Sequence, residues 1–319
     1  MNGNGLTMMM LGPRGVGKTT MLALMYKGLV EGTLKSSFDF RAAQNTAVEL
    51  DDAFIQLTQI LDQPTFMKSG IEPLLGPTLG IHRRKFSVFF EGSKRFDFVF
   101  CDYPGEVTTS DEESADFKEF QGLLNQAIVI VNVLDGAVLM EGSDAFRKRV
   151  NRPFIISELL KPALDDEQDH LLIFIITKCE KWLQDQQGRN ELQAAFEKHH
   201  KEVLHVIENR NKRNVAGVLM PVKTLGCVEF SEVRNYNKPN EEIIFVRNNK
   251  PFHYEGVEQA LRYALAFALA EHDKSTGWLK ILLDMILGKD VVFRNALAQF
   301  ANQRNKTFPM YGNVSLIGL

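Results

Sequence analysis

The string Gly12-Pro13-Arg14-Gly15-Val16-Gly17-Lys18-Thr19 fits the pattern GxxxxGK[ST] in full, between an apolar run at 6–11 and a helical stretch at 18–30. No other feature limits the fold as much. A short apolar run closed by glycine suits a central strand of a parallel sheet. A strand that turns through glycines into a helix opens a βα unit. Glycines free the backbone so that successive N–H groups converge on one point. The helix start adds the positive end of its dipole, and both favour phosphate. On this reading Gly12, Pro13, Arg14, Gly15, Val16, Gly17, Lys18, Thr19 and Thr20 line a phosphate cradle. Lys18 would reach the β- and γ-phosphates, and the Thr19 hydroxyl would bind Mg²⁺.

The remaining pattern is α/β. Apolar, β-branched runs at 127–134, 171–177 and 215–222 alternate with helical stretches near 143–164 and 189–209. Such alternation predicts βα units and a mostly parallel sheet. Runs at 81–90 and 96–101 are separated by five residues, which predicts an antiparallel hairpin and one antiparallel edge strand. The spacing at 46–61 predicts a helix, within an insertion around 38–64. Residues 38–41 are too short to assign, and 63–80, with three prolines and three glycines, reads as a loop. Residues 243–252 read as a strand and turn, 257–271 as a helix. A composition change near Asp273 divides a domain at 1–272 from a C-terminal helical extension at 273–319, with helices at 278–287 and 291–303. The dense apolar stretch 278–287 reads as a buried or partner-binding helix, because its polar face holds only Lys280 and Asp284.

Composition bounds the function. Lys and Arg number 37 against 40 Asp and Glu, a net charge of −3, so binding nucleic acid by bulk charge is excluded. Three cysteines without a CxxC pair indicate neither a disulfide framework nor a zinc site, and fit a reduced, cytoplasmic setting. The N-terminus lacks a basic n-region, and no stretch is long and apolar enough for a transmembrane helix. His199, His200 and His205 sit on an otherwise charged helix without zincin spacing and read as solvated. Lys201, Arg210, Lys212 and Arg213 read as a basic helix end.

Three further motifs lie at strand ends. Asp102-Tyr103-Pro104-Gly105 is a DxxG pattern after the 96–101 run. Asp102 there is placed to hold Mg²⁺ through a water, and Gly105 to offer its N–H to a γ-phosphate. Pro77-Thr78-Leu79-Gly80 precedes the 81–90 run. Thr177-Lys178-Cys179-Glu180 ends the 171–177 run, and Thr224-Leu225-Gly226-Cys227 follows the third. The loop alone does not separate a GTPase from an ATPase, but an isolated Asp followed by xxG favours the former.

In this order, loop, PTxG, DxxG and TKxE resemble the TRAFAC class of P-loop GTPases over roughly 6–271. The DYPGE string and the long spacer before it are similar to the predicted GTPases of bacterial conflict systems and their stress-linked relatives. The resemblance implies a P-loop NTPase fold and an Mg²⁺-dependent conversion of GTP to GDP. It also implies a switch role toward a protein effector, self-association through the nucleotide face, and a setting in bacterial defence or stress response. It makes Thr78 the switch threonine on Mg²⁺, with Thr65 as fallback. Thr177, Lys178 and Glu180 become the base-reading motif, with Glu where the family has Asp, and Gly226 and Cys227 belong to a second base loop. Glu106 stands where many GTPases carry a water-orienting glutamine; it would orient water, act as a base, or leave hydrolysis slow. Arg14 would either add positive charge to the transition state or point to solvent or pair with Glu106 or Asp111; the second is favoured. Two alternatives remain: a signalling-type ATPase, and a nucleotide-binding scaffold with little turnover.

Overall fold

The computed structural model describes residues 5–30, 37–62, 67–69, 82–103, 114–208, 214–272, 284 and 290–318. The main sheet has eight strands in the order β11-β8-β7-β6-β1-β5-β4-β2. These are β1 (Gly5–Leu11), β2 (Asp39–Ala42), β4 (His82–Phe90), β5 (Ser93–Asp102), β6 (Val129–Asp135), β7 (His170–Thr177), β8 (Val215–Pro221) and β11 (Met310–Gly312). Strands β5, β1, β6, β7 and β8 pair in parallel. β7 is buried along its whole length, the burial expected when helices cover both faces of a parallel sheet.

The hairpin expected at 81–101 is present as β4 and β5, joined at Glu91-Gly92, where φ is 50° and 76°. Two positive φ values in succession match the right-handed twist of the strands. A single antiparallel edge strand was the expectation; the sheet has reversed strands on both flanks. β4 is antiparallel to β5 but lies one place inside the edge, because residues 39–42 form β2 outside it. At the opposite edge β11 runs antiparallel to β8.

The helices are α1 (Lys18–Val30), α2 (Gln44–Leu61), α3 (Ala115–Leu124), α4 (Gly136–Glu141), α5 (Asp144–Val150), α6 (Pro153–Ala163), α7 (Gln186–His199), α8 (Lys201–Glu208), α9 (Gln259–His272) and α10 (Val291–Asn302). The β1–α1–β2 crossover steps to one side of β1, whereas β5→β6→β7→β8 steps to the other. Right-handed crossovers therefore put α1 on one face and α3, α6 and α8 on the other. The packing agrees: α1 lies on α2, while α3 meets α6 and α6 meets α8.

Of a second, three-stranded sheet only the strand expected within 243–252 is legible in the sequence pattern. The sheet is ordered β3-β10-β9, with β3 (Met67–Ser69), β9 (Val228–Arg234) and β10 (Glu242–Arg247). β3 has three residues and falls in the stretch read as a loop; a strand that short carries no readable period. β9 is half exposed and mixed in polarity. Glu241 pins the β9–β10 hairpin to the body: it is buried and accepts from Ser143 N at 2.7 Å, from the Ser143 hydroxyl and from Asn237 N.

Residues 290–318, beyond the expected division at Asp273, pack against the rest of the described structure. Phe293 and Phe300 of α10 enter the aromatic cluster of Phe38, Phe40, Phe90 and Phe96. Asp290 caps α10 and pairs with Arg95 at 3.0 Å. With β11 in the sheet, residues 290–318 complete the core. The 278–287 stretch lies outside the described residues except for Asp284, whose Oδ1 is 2.9 Å from His272 Nε2. No helix among the described residues is long and apolar enough to cross a membrane.

One of the three histidines read as solvated is not. His205 is exposed and His199 half-buried, but His200 fills the break between α7 and α8. Its ring stacks on Phe196 at 4.9 Å, and burial pushes its pKa down to about 3.

Candidate functional site

The strand order reverses at β1. The chain leaves β1 toward β2 and leaves β6 toward β7, so a crevice opens between the carboxyl ends of β1 and β6, where open α/β sheets bind ligands. The 12–19 loop occupies it. Gly12, Gly15 and Gly17 have φ of 135°, 83° and 97°. A Cβ on Gly12 would stand 2.6 Å from Val133 O on β6, so the loop approaches β6 as only glycine allows.

Lys18 opens α1 and folds back under the loop. Its Nζ donates to Gly12 O at 2.5 Å and to Pro13 O at 3.4 Å. It also lies 3.6 Å from Asp102 Oδ1, at the end of the neighbouring β5. Both side chains are buried. A buried carboxylate beside β1 thus faces a buried ammonium under the loop. Arg14 is exposed, while Thr19 and Thr20 are half-buried on the first turn of α1.

Asp102 has a second cation that the sequence reading passed over. Arg84 Nη1 donates to Asp102 Oδ2 at 2.9 Å, and Arg84 Nη2 to Glu49 Oε1 on α2 at 2.5 Å. The signal was available: alternation along β4 puts Arg84 in phase with buried Phe86, Val88 and Phe90. A guanidinium on an inward face must be paired. Asp102 Oδ1 is buried and accepts no hydrogen bond from the described residues. An orphaned carboxylate oxygen turned toward Lys18 and the loop fits a divalent cation held with a phosphate, so Asp102 with Thr19 is a donor set suited to Mg²⁺. Thr78 and its alternative Thr65, and Gly105 and Glu106, lie outside the described residues.

At the other end of the crevice, the Thr177 hydroxyl reaches the loop: Oγ1 is 2.5 Å from Val16 O and 3.1 Å from Leu134 O. It holds the loop against the end of β7. Lys178 has φ 52°, a left-handed conformation rare outside glycine. Its Nζ pairs with Asp135 Oδ2 at 2.7 Å and lies 5.7 Å from the Phe245 ring centroid on β10. Asp135 is itself buried, its Oδ1 capping α4 through Val138 N.

Glu180 turns inward. Its Oε1 accepts from Thr224 N and Thr224 Oγ1 at 2.9 Å and from Leu225 N at 3.1 Å. The two segments predicted to flank a base are therefore tied together. The second is further fixed by Gly226, whose φ is 64° and whose Cβ would meet His253 O at 2.6 Å, and by buried Cys227, whose carbonyl accepts from Asn248 N. The structure brings 12–19, Asp102, 177–180 and 224–227 to one edge of the sheet, each following or ending a parallel strand. No family model matches the chain, and no curated protein matches it.

Proposed function

We propose that this chain binds Mg²⁺–GTP and hydrolyses it to GDP and phosphate, and that its nucleotide state switches its affinity for a protein partner. The observation that carries the reading is the junction at the crevice. Lys18 Nζ lies between Gly12 O and Asp102 Oδ1, and Thr177 Oγ1 holds the same loop at Val16 O. That arrangement supports a polyphosphate end beside the glycine loop and a base end beside Thr177–Glu180.

In this reading Lys18 exchanges the Gly12 carbonyl for the β- and γ-phosphates. The N–H groups of the loop hold the remaining oxygens. Mg²⁺, when bound through Thr19, Thr78 and Asp102, supplies charge neutralisation across the phosphates. Water attacks the γ-phosphorus, a new P–O bond forms, and the bond to the β–γ bridging oxygen breaks. Gly105 offers its N–H to the γ-phosphate, and Glu106 orients the water or takes its proton. Placement in bacterial defence or stress response rests on the resemblance of the DYPGE region.

A second reading, a signalling-type ATPase, is favoured by one observation: Oε1 of Glu180 is already taken by Thr224 and Leu225. Guanine offers two donors on one edge, and a carboxylate with one oxygen engaged has a single oxygen left for them. Binding of fluorescent GTP in Mg²⁺, with unlabelled GTP, GDP and ATP as competitors, separates the two. Competition by GTP and GDP alone supports the GTPase; equal or stronger competition by ATP overturns it. Single-turnover hydrolysis on the same sample separates an enzyme from a scaffold.

A further inference from the structure

Arg84 is among the largest side chains wholly inside the protein, at 1% exposure. Taking a guanidinium out of water is unfavourable unless its partners compensate. Its partners are two carboxylates from different elements: Asp102 at the end of β5 and Glu49 on α2. Glu49 Oε1 is also 3.0 Å from His82 Nδ1. The Arg84 Nε is buried without a hydrogen bond to the described residues, and the guanidinium is held through its two ends, which form the bridge. A well-packed apolar residue would fill this position on a phenylalanine-rich face at lower desolvation penalty. The bridge therefore calls for an explanation at one of its ends.

The Asp102 end supplies it. Arg84 takes Oδ2, and Oδ1 is buried, accepts no hydrogen bond from the described residues and faces Lys18 Nζ at 3.6 Å. A carboxylate free to rotate could present either oxygen; here one is fixed from behind. We propose that Arg84 is a positioning residue that holds Oδ2 of Asp102, so that Oδ1 faces the 12–19 loop and sets how tightly that loop takes a divalent cation with its nucleotide. Glu49 anchors Arg84 from α2 and so ties the inserted helix to the metal-facing oxygen. This rests on the nucleotide reading above and deepens it, adding a determinant of cation affinity that lies outside all four motifs.

The test is nucleotide binding as a function of Mg²⁺ concentration, with a parallel measurement in EDTA. The chains compared are wild type, Arg84→Met, Arg84→Lys and Glu49→Gln. Arg84→Met keeps an apolar chain of similar reach and removes the charge. The Mg²⁺ concentration for half-maximal binding is expected to rise about 10–100-fold, the range for loss of a group that orients a metal-binding carboxylate. Arg84→Lys, a point charge that cannot fork between two carboxylates, is expected to give a smaller rise, and Glu49→Gln the smallest. Affinity in EDTA stays near wild type in all three.

An unchanged or lowered Mg²⁺ requirement in Arg84→Met overturns the proposal. A lowered one would mean that Arg84 only repels the cation. Equal loss of binding with and without Mg²⁺ also overturns it, leaving a purely structural ion pair. If Arg84→Met does not fold, Glu49→Gln decides in its place, since Glu49 is partly exposed: an unchanged Mg²⁺ requirement there overturns the proposal. A wild-type chain that binds no nucleotide overturns the nucleotide reading, and this proposal with it. A wild type that binds with Mg²⁺ dependence beside variants with the same dependence overturns this proposal alone.

Discussion

The two ends of the crevice are built on different terms. At the loop end the geometry is set by backbone: three glycines at positive φ, a close approach to β6, and a lysine that binds loop carbonyls and faces Asp102. At the other end the polar side chains already serve the fold. Thr177 holds Val16, Lys178 holds Asp135, and Glu180 holds Thr224 and Leu225. A phosphate would meet groups that are poised to exchange partners. A base would meet groups that must share theirs. Affinity is thus expected to reside in the phosphate end, and selectivity to be a smaller increment at the base end.

The largest effects should come from the loop. Gly12→Ala places a Cβ 2.6 Å from Val133 O at a φ of 135°. The strain is about 1–3 kcal/mol, and the loop must move off β6 to relieve it. Thermal melting is expected to fall and nucleotide binding to be lost. Lys18→Ala removes the charge under the loop, and triphosphate affinity is expected to drop about 100-fold or more, as charge-assisted bonds to two phosphates disappear. Calorimetric titration with GTP and ATP reads both. Equal loss of the two nucleotides fits the comparison; normal binding in Lys18→Ala would remove the site assignment entirely.

Thr177→Val cuts the link between the ends while keeping the volume. The Val16 carbonyl loses its 2.5 Å donor in a buried setting. The expected loss is about 1–3 kcal/mol of stability, with a loss of affinity of about tenfold shared by GTP and ATP. Chemical denaturation and competition binding measure these separately. A loss confined to one nucleotide would show that Thr177 belongs to the base end and not to the loop.

What could be read from sequence follows the same divide. The loop, β1, α1 and the parallel strands were legible because their rules are local: glycine where φ is positive, continuous apolar runs where both faces are covered. Asp102 was legible as a residue ending an apolar strand. Arg84 was not, although its place in the alternation of β4 marked it, because its partners lie 18 and 35 positions away. Glu180 was legible as an acid at a strand end, but not its occupation by Thr224, 44 positions on. β3, β9 and the closing of the core by α10 and β11 depend on pairings between distant segments, which no local period encodes. The packing of residues 290–318 on Phe38, Phe40, Phe90 and Phe96 likewise joins segments far apart in the chain.

The smallest expected effect is the one that sharpens the comparison most. In Glu180→Gln the side-chain carbonyl can still accept from Thr224 and Leu225, so stability should fall by only about 1 kcal/mol. The amide nitrogen then stands where Oε2 was, an oxygen that accepts no hydrogen bond from the described residues. If that oxygen reads guanine, a donor now faces the N1–H and N2–H donors of the base. GTP affinity should drop about tenfold, with ATP unchanged, because a buried donor is left opposite another donor. The measurement is the ratio of GTP to ATP inhibition constants in the wild type and the variant. A ratio that does not move assigns Glu180 wholly to the Thr224–Leu225 loop. Base preference would then come from the backbone of 224–227, and the ATPase reading would gain what the GTPase reading loses.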